Sequence, residues 1–107
     1  MTDIAPPLTP ADRRRITDAI DELTVRIARQ LCADNPHASE RDVRLAVLTA
    51  THLLHTELGT QLDQAAHGAA RAGAGYVEIG TATGMSRQGA RRRWPGLADL
   101  SRGARQP

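Results

Sequence analysis

The chain has no phenylalanine and no lysine, and it has one cysteine, one tyrosine and one tryptophan in 107 residues. Since the aromatic residues are limited to Tyr76 and Trp94, the core must be built mainly from Ala, Leu, Ile and Val. The scarcity of aromatic rings also argues against RNA recognition, in which bases stack on such rings. The single Cys32 excludes an internal disulfide and fits a reducing compartment. The length predicts one small domain, which self-association would stabilise further.

Missing motifs argue against several kinds of protein. The sequence shows no secretory signal, and residues 45–56, its longest uncharged central stretch, are too few to span a bilayer. Without lysine it cannot form a phosphate-binding loop of the GxxxxGK type, and the GAG sequence at 73–75 has no preceding strand to make a dinucleotide site. No set of catalytic residues emerges. We therefore expect a cytoplasmic protein that is neither an enzyme nor a membrane protein and that binds no cofactor.

Histidine and cysteine are too scattered to predict a metal site. His52 and His55 are three residues apart, whereas His37, His67 and Cys32 lie elsewhere in the chain. A structural zinc ion needs four ligands, and no Cys/His cluster has the spacing of a zinc finger. We expect no metal, and we interpret the histidines as surface or interface residues and Cys32 as a small buried apolar residue.

Positive charge is concentrated at one end of the chain, although the net charge is only +2. Residues 1–38 have five Arg against six acidic residues, and residues 39–75 have three against four. Residues 76–107 have six Arg against two acidic residues. Such a distribution is typical of a near-neutral scaffold with one end that binds a polyanion.

Two amphipathic helices are predicted before this basic end. After a flexible lead-in at residues 1–9, Thr9 as N-cap and Pro10 at the first helical position begin helix 1, and Asn35-Pro36 requires it to end near Ala33. Its apolar stripe recurs at helical spacing: Ile16, Ile20, Leu23, Ile27 and Leu31.

Helix 2 should begin after Ser39, with Asp42 completing a capping box. Between residues 43 and 58 it is apolar over most of its circumference. It therefore needs neighbours on two sides: helix 1, and either the basic C-terminal part or the same helix of a second subunit. Gly59 predicts a break, after which residues 60–72 would form the first helix of a three-helix unit.

Residues 76–94 read YVEIGTATGMSRQGARRRW and predict a helix, a tight turn and a basic helix. Gly84 can adopt the positive φ of a helix C-terminus, and Ser86 is a good N-cap for the second helix. In the first helix, Val77, Ile79 and Ala82 are expected to meet the second. A helix-turn-helix of this kind inserts its second helix into the DNA major groove.

This segment resembles the helix-turn-helix of bacterial transcription regulators, and most closely sigma-factor region 4 and small actinobacterial regulators. The resemblance lies in the aromatic-x-E-I-G sequence, the later G-M-S-R-Q-x-A sequence and the closing Arg-aromatic pair. Thr83 departs from it where Leu is usual, and Gly89 where Ala or Thr is commoner. The resemblance implies an all-α fold and double-stranded DNA binding.

The candidate DNA-binding residues lie in the second helix and at its cap: Ser86, Arg87, Gln88, Arg91, Arg92 and Arg93. Arg can bond guanine with two hydrogen bonds, and Gln can bond adenine in the same way. Arg93, Arg102 and Arg105 are interpreted as phosphate contacts, with plain solubility as the alternative. The alternative for the other arginines is a solvated charged face. Tyr76 and Trp94 are interpreted as core or rim residues and not as base-stacking platforms.

The predicted organisation is all-α, with a lead-in (residues 1–9), a helical hairpin for scaffold and dimerisation (10–59), a helix-turn-helix unit (60–96) and a basic tail (97–107). In the tail, Leu97, Ala98 and Leu100 could form one short turn, and residues 101–107 are expected to be disordered. The predicted function is sequence-specific DNA binding by a homodimeric transcriptional regulator located at the nucleoid. The alternatives are a helical protein-interaction module, antitoxin-like or sigma-binding, that uses helix 2, and a non-specific nucleoid-associated protein.

Overall fold

Five α-helices form the secondary structure of residues 8–105, the part of the chain that the computed structural model describes. They are α1 (Pro10–Leu31), α2 (Glu40–Arg71), α3 (Tyr76–Thr83), α4 (Arg87–Arg93) and α5 (Leu97–Arg105). No strand occurs in this range, so the prediction of an all-α protein is confirmed. Residues 1–7 of the predicted lead-in and the last two residues of the predicted tail lie outside the described residues.

The first two helices begin at the predicted caps. The Thr9 hydroxyl accepts the Asp12 N–H, and the Asp12 carboxylate accepts the Thr9 N–H at 3.0 Å. Ser39 and Asp42 exchange the same pair of hydrogen bonds at the start of α2. Each pair satisfies two backbone donors that a helix start would leave without partners.

The predicted break at Gly59 is wrong, because α2 continues through it without interruption to Arg71. A helical glycine costs only about 1 kcal/mol relative to alanine, and good helix formers surround this one. The helix ends at Arg71, close to the predicted end at residue 72, and Gly73 follows with a φ of 103° that residues with a Cβ rarely adopt. No helix among the described residues is long and apolar enough to cross a membrane.

The chain divides into an N-terminal unit, Met1–His55, and a C-terminal unit, Thr56–Pro107. In the N-terminal unit the buried residues are small: Thr24, Ala28, Ala46 and Ala50. The predicted stripe of α1 is not the buried face, since Ile20 and Leu23 remain 43% and 40% exposed. Thr24 and Ala28 each follow a stripe residue by one position, which turns the contact by about 100° around the helix. The buried contact of α1 therefore consists of small side chains.

The C-terminal unit has a core that contains large side chains. Its buried residues come from α2 to α5: Ala66, Ala70, Tyr76, Ile79, Ala90, Trp94 and Leu97. Leu97, in the predicted short turn, is 1% exposed in this core, and the prediction of disorder is wrong for residues 101–105, because α5 continues to Arg105. The Ser101 hydroxyl is also buried, and it donates to the carbonyl of Ala74.

Candidate nucleic-acid interface

The turn between α3 and α4 has the geometry that its residues predict. Gly84 ends α3 with a φ of 70°, and the Ser86 hydroxyl accepts the N–H of Gly89 at 2.9 Å to cap α4. A Cβ on Gly89 would lie 3.1 Å from that hydroxyl oxygen. The glycine therefore leaves room for the cap.

A second glycine, Gly80, sets how closely α3 approaches the turn. Its carbonyl accepts the Met85 N–H at 2.8 Å, and a Cβ on Gly80 would lie only 2.7 Å from the Met85 carbonyl oxygen. This role was missed in the sequence, although the repeated small residues around Gly80 could have indicated a close contact. Of the three residues expected to meet α4, only Ile79 is buried, whereas Val77 is 61% exposed and Ala82 is also exposed.

Tyr76 ties the start of α3 to the end of α4. Its hydroxyl donates to the Trp94 carbonyl at 2.7 Å and accepts the Leu97 N–H at 3.0 Å. Both bonds are buried, where an unsatisfied polar group would be costly. Tyr76 and Trp94 are thus core residues, as interpreted from the sequence, and their rings are not exposed for stacking.

Asp63 on α2 holds the C-terminal end of α4 from the other side. Its carboxylate accepts the Trp94 indole N–H at 2.8 Å and pairs with the Arg93 guanidinium at 3.0 Å. The Arg93 guanidinium also lies 5.4 Å from the centre of the Trp94 ring. Sequence reasoning missed Asp63, because only the fold brings residues 31 positions apart into contact. Arg93 therefore has a structural role that was not predicted.

The remaining polar side chains of α4 differ in their surroundings. Arg87, Gln88 and Arg92 are exposed, and the described part of the chain gives none of them a side-chain hydrogen bond or ion pair. Arg91 is also exposed, but its guanidinium lies 5.4 Å from the centre of the Tyr76 ring, within the range of a cation–π contact. The exposed charge of α4 is thus carried on a helix whose two ends are fixed.

A shallow groove of about 400 Å³ lies beside α4 and collects three arginines from two helices: Arg87, Arg91 and Arg102. Arg102 is also paired with Asp99 one turn earlier on α5. Tyr76 and the backbone of Gly75 form part of its floor. Glu78 also lines the groove, but the three arginines outnumber it, and an excess of guanidinium groups favours an anionic partner.

Residues 8–105 contain no group of three or more His, Cys, Asp or Glu side chains that could hold a metal ion. Cys32 is half-buried beside the alanine cluster of the N-terminal unit. Comparison of the chain with protein-family models, with curated proteins and with solved structures found no match in any of the three.

Proposed function

We propose that the protein is a sequence-specific double-stranded DNA-binding transcriptional regulator in which α3, the turn and α4 form a helix-turn-helix. The observation that carries this proposal is the exposure of Arg87, Gln88 and Arg92 on a helix anchored by Tyr76 and Asp63. Rigid support matters because base recognition requires side chains held in a defined position relative to the groove. The concentration of positive charge in residues 76–107 supports the same conclusion.

Different residues of this surface are suited to different parts of DNA. Arg87, Gln88 and Arg92 have no competing partner among the described residues, so we propose that they contact base edges, each good pair adding about 1–3 kcal/mol of discrimination. Arg91, stacked on Tyr76, and Arg102 are better placed for the phosphate backbone, which needs charge but less exact orientation.

Two further candidate DNA-binding residues mainly stabilise α4. Ser86 caps α4, and its side-chain oxygen is already occupied by the N–H of Gly89. Arg93 supports the end of α4 through Asp63. In both cases a contribution to binding would come chiefly from holding α4 in position.

We further propose that the regulator acts as a homodimer at the nucleoid. Two recognition helices related by a twofold axis would contact half-sites about 34 Å apart, one turn of the DNA helix. Two half-sites also give a longer recognised sequence, which a small domain alone could not provide.

Selection of duplexes from a random library, followed by footprinting on genomic fragments, tests this function. We expect enrichment of a twofold-symmetric sequence and strong preference for it over random DNA. If four to six phosphates are contacted per dimer, log affinity should fall with log salt concentration with a slope of roughly −4 to −5. A slope near zero would contradict DNA binding.

Matched arginine variants separate a specific contact from general charge. Arg92→Ala should weaken binding to the selected duplex and relax the preference at one base pair, by about 1–3 kcal/mol. Arg14→Ala, an equal change of charge at an exposed position of α1, should have little effect. Equal losses in both variants would indicate that only net charge matters.

Two alternatives have support in the same molecule. Leu45, Leu48 and Leu53 of α2 are 49–64% exposed, which favours a protein-interaction module that uses this helix. Such a protein would bind another protein tightly and show no preferred duplex. A non-specific nucleoid protein would instead bind every duplex with similar affinity, which competition with random DNA would reveal.

A further inference from the structure

We infer that the α1 stripe, the exposed apolar face formed by Ile16, Ile20, Leu23, Ile27 and Leu31, is the surface on which a second copy of this chain docks. The inference identifies the interface of the proposed homodimer, and it rests on that part of the proposed function. It does not depend on DNA binding, because all of its evidence comes from the N-terminal unit.

The α1 stripe is exposed because α1 contacts α2 through a different face. Ala28 forms one buried cluster with Ala46 and Ala50, and Thr24 is also buried, whereas Ile16, Ile20, Leu23 and Leu31 remain 40–50% exposed. Ile27 belongs to the stripe but is half-buried, because it also packs against the alanine cluster. One helix thus has a small-residue face that is covered and a large-residue face that is open.

The N-terminal unit needs additional burial to be stable. Among its described residues, 8–55, the buried side chains are three alanines and one threonine, and no large apolar side chain there is fully buried. Hydrophobic stabilisation scales with the apolar area removed from water, so such a core contributes little. Subunits that lack a sufficient core of their own commonly fold only as they associate.

The open surface has the size and spacing of a helix–helix interface. Its apolar residues recur at intervals of four, three, four and four, the pattern by which a helix packs along a second helix. The four stripe residues that are 40–50% exposed present on the order of a few hundred Å² of apolar surface, which an identical stripe on a second copy would cover. Stable interfaces bury roughly 800 Å² per partner.

The charges beside the α1 stripe do not oppose self-association. Arg15 pairs with Asp12 and Arg26 pairs with Glu22 within the helix, each at 3.5 Å. Both signs of charge therefore flank the stripe, and neither forms a continuous row that would repel an identical surface. A second copy is also the partner whose supply always matches that of the chain that needs it for folding.

Sedimentation equilibrium of the full chain and cross-linking of single-cysteine variants test the inference. In a Cys32→Ser background, Ile20→Cys places a thiol on the α1 stripe, and Asp18→Cys places one about 200° around the same helix. We expect a dimer in which a short bis-maleimide links copies with cysteine at position 20 and not those with cysteine at 18. A monomer at all concentrations, or equal linking at both positions, would overturn the inference.

A second pair of variants tests the energy of the interface. Leu23→Gln puts an amide on the α1 stripe and should raise the dimer Kd at least about tenfold. Val25→Gln makes a comparable change at a position that is 45% exposed but points away from the stripe, and it should leave the Kd unchanged. A Kd that rises equally in both would overturn the inference, with circular dichroism confirming that each variant is helical.

Failure of this inference can be told apart from failure of DNA recognition. A dimer that cross-links at position 20 but prefers no duplex would support the proposed interface and contradict the proposed DNA recognition. A monomer that binds one duplex selectively would support the proposed recognition helix and contradict the interface.

Discussion

The two units of this small helical protein differ in what fills their cores. In the C-terminal unit Tyr76, Trp94 and Leu97 are at most 8% exposed. In the described part of the N-terminal unit alanines fill the core, and most leucines and isoleucines are 40% exposed or more. Fully burying one large apolar side chain stabilises the folded state by about 1.5–3 kcal/mol. Burying an alanine methyl stabilises it by roughly 0.8 kcal/mol, the value for one CH₂ group.

This difference indicates that the two units have different roles. The C-terminal unit has enough buried apolar surface, and enough buried hydrogen bonds, to hold α4 in place with its own residues. The N-terminal unit exposes the residues that would ordinarily fill a core, which suits an element that becomes stable on association. Both the proposed recognition helix and the proposed dimer interface follow from this difference.

The largest expected effect comes from emptying the C-terminal core. Trp94→Ala should lower the free energy of unfolding by about 3–5 kcal/mol, because it leaves a cavity and removes the bond to Asp63. Leu48→Ala, at a position 64% exposed, is the matched truncation in the N-terminal unit and should cost less than about 1 kcal/mol. Urea unfolding followed by circular dichroism measures both. Similar losses would show that the two cores do not differ as described.

The next largest effect tests the close contact at Gly80. Gly80→Ala should destabilise the protein by about 1–3 kcal/mol, since the new Cβ would press on the Met85 backbone. Gly68→Ala is the control, because a Cβ there meets nothing within 4 Å and alanine favours the helix by up to about 1 kcal/mol. Gly→Ala should therefore lower the free energy of unfolding at position 80 and raise it at position 68, and thermal unfolding would detect both changes. A change of stability in the same direction at both positions would contradict the proposed packing of the turn.

Local signals explain the parts of this structure that the sequence predicted. Thr9, Ser39 and Ser86 each cap a helix through a partner three residues away. Gly84 adopts a positive φ, which glycine reaches easily because it has no Cβ. These features depend on neighbours in the chain. They could therefore be recognised without knowledge of the fold.

The features that sequence reasoning missed depend on distant residues or on competing contributions. Asp63 meets Trp94 across 31 positions, and Ser101, in the part of α5 predicted to be disordered, bonds the Ala74 carbonyl across 27 positions. Gly59 was given too much weight as a helix breaker, because neighbouring residues offset its small cost. The α1 stripe was recognised as apolar, but periodicity cannot show which of two adjacent faces a neighbouring helix covers.

A smaller effect concerns the support of α4 by Asp63. Asp63→Ala leaves the Trp94 indole N–H without its acceptor and should cost about 1–2 kcal/mol. Asp63→Asn keeps an acceptor oxygen and removes only the ion pair with Arg93, which is nearly half exposed and worth less than about 1 kcal/mol. The fluorescence of Trp94, the sole tryptophan, can follow the unfolding of both variants. If the asparagine variant lost as much as the alanine variant, the ion pair would be the main support.

The smallest effect is a dependence on pH at the start of α1. The backbone N–H of Thr9, and then its hydroxyl, lower the pKa of the Asp12 carboxyl below its usual 3.8. Because the folded-state pKa is the lower one, the stabilisation is fully present above pH 3.8 and is lost as the pH falls through the folded value. Chemical shifts of the Thr9 amide across this range should follow the titration. In Asp12→Asn the same shifts should not titrate there, and a persisting midpoint would assign the effect to another carboxyl.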